Sequence, residues 1–213
     1  MDSLKIPKAV MVGHDEGALV AAELASSKQW KERVVASVWI GPLHVKDGKG
    51  KGEVKKEVED RIGVVEDEGM EGVVGSVVDE VADSAPMSLV VKAFVREMLM
   101  AQPGKGYISN CRVITQASAP LYKDISTPVC ILAGKEDKSA SMEDCESILG
   151  KLEKVKEDSC VVDIEGCGHW HVLEQPEEVG KEIKAFLEKM VVVEQMRSPF
   201  WRRSLAWVMP GRS

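Results

Sequence analysis

The chain has 213 residues, a formal net charge of −7, and a composition that is 44% hydrophobic and 30% charged. These are the proportions of a globular protein with one domain, or with one domain carrying an insert. The acidic balance excludes nucleic acid as a main partner, because phosphate binding needs a basic face. No apolar run approaches the roughly 18 residues of a membrane span, so no stable membrane insertion is expected. The start, MDSLKIPK, lacks a signal-peptide core, and a cytoplasmic location is the expectation. The five cysteines, Cys111, Cys130, Cys145, Cys160 and Cys167, form no C-x-x-C pair and read as reduced thiols rather than a zinc site or a disulfide framework.

In chain order, Lys8–Val12 reads as a short strand. Asp15–Trp30 reads as a helix, with Leu19, Val20, Ala22 and Leu24 as its apolar residues. Arg33–Ile40 (RVVASVWI) is a second apolar strand bounded by Gly41 and Pro42. Two strands apolar on both faces, joined by a helix, imply a parallel βαβ unit. Lys46–Lys56, rich in glycine and lysine, reads as a mobile linker. From Glu53 to Thr115 the pattern is helical, broken near Gly69, Ser84–Pro86 and Pro103–Gly106, with Met87–Gln102 strongly amphipathic. The alternation then returns as strand Pro128–Ala133, helix Ser141–Val155, strand Ser159–Ile164 and helix Glu174–Met190. The expected organisation is therefore an α/β core of residues 1–45 and 119–190 with a helical insert at 46–118. The tail, 191–213, carries Arg197, Arg202, Arg203 and Arg212 among Phe200, Trp201 and Trp207. It reads as irregular, or as a contact to a membrane surface or partner.

Three motifs carry chemistry. Val10–Gly17 (VMVGHDEG) runs from a strand into a Gly-x-Asp-x-Gly turn and then a helix, with Gly13 and Gly17 expected to let strand and helix approach closely. Such an elbow holds its central residue, here Asp15, in a strained conformation above the sheet. Leu132–Lys138 (LAGKEDK) places Asp137 just past a strand end, and Gly166–Pro176 (GCGHWHVLEQP) does the same for His169. Nucleophile, acid and histidine in this order, each past the end of a parallel strand, form a triad in which the histidine takes a proton and the acid fixes its tautomer.

On GHDEGALVAAELA, PGKGYISNCRVI, TPVCILAGKEDKSA and GCGHWHVLEQPEEV, the chain from Ala9 to Met190 resembles an α/β-hydrolase with a helical cap, nearest to hydrolases of the 3-oxoadipate enol-lactonase kind. The resemblance implies a partial α/β-hydrolase fold, namely the parallel sheet formed by strands 5 to 8 with the inserted cap roofing a pocket. It implies cofactor-free hydrolysis of an ester or lactone-type small molecule, with no metal. It carries over Asp137 as acid and His169 as base, and sets Asp15 in the nucleophile's place.

The chain departs from that pattern twice. Asp15 stands where the esterases have serine, and a carboxylate there attacks sp³ carbon, as in hydrolases of epoxides and haloalkanes. The adjoining Glu16 is expected to raise the cost of ionising Asp15. The resemblance also implies four strands before this elbow, and a loop that gives one of two oxyanion donors. The backbone N–H of Glu16 is the other, and loss of one donor costs about 10²–10³ in rate. Without those strands Lys8–Val12 is an exposed apolar edge open to pairing with another chain, and activity is expected to be impaired.

Tyr107 reads as a packing residue or as an acid toward substrate, Trp170 and His44 as pocket walls, and His14 as structural. One of Trp170 and His171 is expected simply to pack, and Cys111 reads as core. Arg96 and Arg112 read as substrate-carboxylate binders or as surface ion pairs. Three readings stay open: an ester or lactone hydrolase, an Asp-nucleophile epoxide hydrolase or dehalogenase, and an inactive relative.

Overall fold

The computed structural model describes residues 1–45, 49–82, 87–155 and 157–195. Among them, four strands form one parallel sheet in the order β1-β2-β3-β4: β1 is Ala9–His14, β2 Val34–Ile40, β3 Val129–Gly134 and β4 Cys160–Ile164. β2 and β3 are buried on both faces, as their unbroken apolar runs require. On one face Trp39, Ile131 and Ala133 pack against helix α1 (Glu16–Ser26) and helix α6 (Met142–Gly150). On the other, Ala36, Val38, Ile40 and Leu132 meet Val179 and Phe186 of helix α8 (Pro176–Gln195). β1 is an edge strand among the described residues, and Val12 on it is 54% exposed. The five cysteines are free. No helix among the described residues is long and apolar enough to cross a membrane.

Between β2 and β3 lie four helices: α2 (Lys49–Glu68), α3 (Met70–Ala82), α4 (Leu89–Met100) and α5 (Gly104–Gln116). They share their own apolar cluster, in which Val58, Val65, Val74, Val95, Leu99, Tyr107 and Cys111 are buried. The glycine- and lysine-rich stretch expected to be a linker is instead helical from Lys49. Val54, Val58, Ile62 and Val65 recur at helical spacing and pack into that cluster, and Glu57–Arg61 and Lys55–Glu59 add i,i+4 ion pairs. Packing here outweighs the weak helix propensity of glycine. Residues 46–48 lie outside the described residues, as do the break at Ser84–Pro86 and the tail beyond Gln195.

Other boundaries also move. α1 ends at Ser26 rather than Trp30, where Ser27 turns to extended backbone, and Lys31–Arg33 forms a single 3₁₀ turn. α6 stops at Gly150, short of Val155. A four-residue helix α7 (His171–Glu174) precedes α8.

Candidate active site

Asp15 caps α1 with φ 52° and ψ −117°, a region costly for any residue with a side chain. The strain is held by neighbours on every side. The Asp15 N–H donates to the Ile40 carbonyl, and its own carbonyl accepts from the amides of Ala18, Leu19 and Leu43. The elbow needs Gly13, because a Cβ there would lie 2.2 Å from the Gly17 carbonyl oxygen. Gly17 itself does not carry the expected role: a Cβ on it would meet nothing within 4 Å. The tight approach runs between the Gly13 Cα and the backbone of the helix start.

Asp137 follows β3, and its side chain is fully buried. Its Oδ1 accepts from the amides of Ser139 and Ala140 at 2.8 and 3.0 Å, and its Oδ2 accepts from His169 Nδ1 at 3.1 Å. That hydrogen bond assigns the Nδ1–H form to His169, so Nε2 faces Asp15 at 3.7 Å from Oδ2. This is a Coulombic contact, longer than a hydrogen bond. The loop carrying His169 is clamped by Glu174, which accepts from the amides of Gly168 and Trp170, and by Glu136, which accepts from the amide of Cys167.

Two further imidazoles converge on His169. His14 Nε2–H and His171 Nδ1–H both donate to the carbonyl oxygen of His169, at 2.7 and 2.8 Å. His14 is thus structural, and the fully buried His171 packs. Gly41, at φ 47°, leaves room for this arrangement: a Cβ there would sit 2.7 Å from His171 Cε1 and 3.1 Å from Asp137 Oδ2.

Charge in the site follows from this crowding. Burial works against the charged form of His169, but the carboxylates of Asp137 and Asp15 on either side push its pKa up to about 10. It rests as an imidazolium. Burial also disfavours the Asp15 anion, yet the charge of His169 outweighs it and keeps Asp15 below the ordinary carboxylate range. The cost of the paired carboxylates therefore falls on Glu16 and not, as expected, on Asp15. Burial and the neighbouring Asp15 charge raise Glu16 to about 7. The backbone N–H of Glu16 at the start of α1 works the other way and lowers it, by less than burial and the Asp15 charge raise it.

Above these groups opens a cavity of about 680 Å³, in the range of small-molecule sites. Its floor is Asp15, Glu16 and His169, its walls include His44 and Trp170, and all four helices α2–α5 supply its roof, Tyr107 among them. His44 lines the rim with both ring nitrogens engaged: Nδ1 lies 2.5 Å from Asp144 Oδ1 and Nε2 3.4 Å from Lys151 Nζ. Cys111 is buried in the helical cluster and also lines the cavity, its thiol pushed up by burial. The other tyrosine of the chain, Tyr122, lies in the sheet core against Trp39. Arg96 and Arg112 are exposed and do not line the cavity. The guanidinium in the cavity wall is Arg61, beside Glu57 at 3.1 Å. The spacing of Val54, Val58, Arg61 and Val65 on one helical face is the signal that could have found it.

A parallel sheet flanked by helices, with Asp15, Asp137 and His169 past the carboxyl ends of its strands, is the fold of the α/β hydrolases. Residues 1–182 match the model of the Alpha/beta hydrolase family, and the chain belongs to that family. Solved structures of similar fold include a thermophilic esterase from Thermogutta terrifontis, with 22% identity, TM-score 0.71 and coverage of 89% of this chain and 68% of that one. The enol-lactonase from Burkholderia xenovorans LB400 has 21% identity and TM-score 0.71, covering 88% and 68%. MenH from S. aureus has 20% identity and TM-score 0.72, covering 89% and 71%. At these identities the likeness is one of fold. No curated protein matches the chain significantly in sequence.

Proposed function

We propose that this α/β hydrolase works through a covalent ester on Asp15, formed by attack of its carboxylate on an sp³ carbon, with the helical layer as a cap over the substrate. The observation that carries this reading is a carboxylate at the elbow, with Asp15 Oδ2 3.7 Å from His169 Nε2 and the other ring nitrogen of His169 held by Asp137; the charge of His169 also favours the Asp15 anion. A protonated histidine cannot take a proton from water, which speaks against direct general-base hydrolysis in the resting site. An Asp15 carboxylate needs no activation. It displaces the leaving group with its own electron pair, forming the new C–O bond as the old carbon–heteroatom bond breaks. Esterification then removes the Asp15 charge, one of the two that hold the His169 proton, so the histidine loses that proton more readily and becomes a base. Neutral His169, oriented by Asp137, takes a proton from water attacking the ester carbonyl, and the alcohol leaves as Asp15 returns to carboxylate.

The second reading is ester or lactone hydrolysis, supported by the sequence resemblance to enol-lactonase-like hydrolases. It asks more of Asp15, because a tetrahedral adduct of carboxylate and ester expels the carboxylate far more easily than an alkoxide. Restoring serine at position 15 and assaying nitrophenyl esters tests it. For the first reading, the test is His169→Gln incubated with a terminal epoxide or a primary alkyl bromide and followed by intact mass. The expected result is a stable adduct on Asp15, and no adduct with any such reagent counts against the reading.

A further inference from the structure

Two cysteines that do not line the cavity stand side by side in the sheet. Cys130 is the second residue of β3 and Cys160 the first of β4, and the parallel register sets them directly opposite each other. Both side chains lie on the face covered by α8, packed into the cluster that holds Leu132, Ile164 and Val179. The register is pinned one residue before each of them, where the Ser159 hydroxyl accepts from the Val129 amide at 3.0 Å. Neighbouring strands lie about 4.8 Å apart, inside the Cα separation of about 4.4–6.8 Å that a disulfide spans. We infer that Cys130 and Cys160 form a peroxide-reactive dithiol, which a hydroperoxide closes to a disulfide between β3 and β4.

Access divides the two roles. Cys160, at the start of its strand, is partly exposed, whereas Cys130 is only 1% exposed. A solute can meet the first and not the second. The Cys130 thiol holds that of Cys160 down at about 7, against burial; of the charges on α8, Lys189 favours the Cys160 thiolate and Glu182 opposes it. The thiolate is the form that attacks peroxide, so Cys160 attacks. Cys130, whose thiol is pushed up by Cys160 and by burial, resolves. The other three cysteines have neither an opposed partner nor access. Cys111, Cys145 and Cys167 are buried, and burial pushes their thiols up, the last two to about 12. Cys145 and Cys167 also donate their S–H to the carbonyls of Ala140 and Gly168. The dithiol lies at the starts of β3 and β4, while Asp137 and His169 follow the strand ends, so closure leaves the cavity floor untouched.

The chemistry balances with hydrogen peroxide as oxidant. The Cys160 thiolate attacks one peroxide oxygen, forming an S–O bond as the O–O bond breaks, and the departing hydroxide takes a proton to become water. Cys160 is then a sulfenic acid. The Cys130 sulfur attacks the Cys160 sulfur, the S–S bond forms as the S–O bond breaks, and the Cys130 proton leaves with the hydroxide as a second water. Two thiols are oxidised, one peroxide is reduced, and a small dithiol reverses the change by exchange.

The test is a small excess of hydrogen peroxide on the full chain, followed by N-ethylmaleimide in denaturant and digestion without reductant. Cleavage at Glu165 separates Cys160 from Cys167. The expected product is a linked peptide joining Cys130 to Cys160, lighter by two hydrogens than its separate parts and released by dithiothreitol, with Cys111, Cys145 and Cys167 carrying maleimide. In the native protein at about pH 7, Cys160 should react with iodoacetamide about 100-fold faster than Cys145 or Cys167. Cys130→Ser should leave a Cys160 sulfenic acid that dimedone traps, and the map of the unsubstituted protein decides even if that variant does not fold. Five reduced thiols after peroxide, a link through any other pair, a Cys160 that oxidises without joining Cys130, or a Cys160 no faster than the buried thiols overturns the inference.

Discussion

Asp15→Asn is expected to lower turnover by about 10⁴–10⁶-fold, the range seen when a nucleophile is removed from a catalytic unit. An amide has no charge to drive displacement, so no ester forms and neither later step begins. The loss is not one of folding. The His169 imidazolium holds Asp15 below the ordinary carboxylate range, so the Asp15 charge contributes stability that the amide gives up, and the thermal midpoint by circular dichroism is expected to fall by a few degrees at neutral pH with a cooperative transition kept. Glu16 should titrate nearer the ordinary carboxylate range in the variant, because the Asp15 charge is one cause of its raised value. Loss of the cooperative transition would mean that the lost activity has a structural cause.

Asp137→Asn is expected to lower steady-state turnover by about 10⁴-fold while leaving the first alkylation of Asp15 in place. Asparagine keeps an oxygen for the amides of Ser139 and Ala140 but can turn an NH₂ toward His169 Nδ1. The ring then presents a lone pair at Nδ1 and carries its proton on Nε2, the nitrogen that must accept one from water. The ester forms and persists. Intact mass during turnover should show most of the protein alkylated, which separates this variant from Asp15→Asn, where no adduct is seen. Equal loss of both steps would mean that Asp137 acts on the whole elbow and not through the tautomer of His169.

The three residues that meet at the strand ends were legible in the sequence because each depends on local chain. Asp15, Asp137 and His169 each sit in a short turn directly past an apolar run, and a parallel sheet brings such turns to one edge. What escaped the sequence depends on distant contacts. The start of α2 was hidden by glycines and lysines, since its helicity comes from packing against α3, α4 and α5. A guanidinium for a substrate carboxylate was sought at Arg96 and Arg112, but both are exposed while Arg61 lines the cavity. The division of charge between Asp15 and Glu16 turned on His169, which stands 3.7 Å from Asp15 in space but far from it along the chain. Nor does sequence spacing show that His14 and His171 share one acceptor, the His169 carbonyl.

The central claim, a covalent ester on Asp15 hydrolysed at its carbonyl, is tested most directly by a single turnover in H₂¹⁸O with protein in excess over an epoxide. The diol's new oxygen then comes from Asp15 and is unlabelled, while the Asp15-containing peptide gains about 2 Da. Label in the diol on that first turnover, with Asp15 unlabelled, would mean that water attacks the substrate directly and would contradict the account.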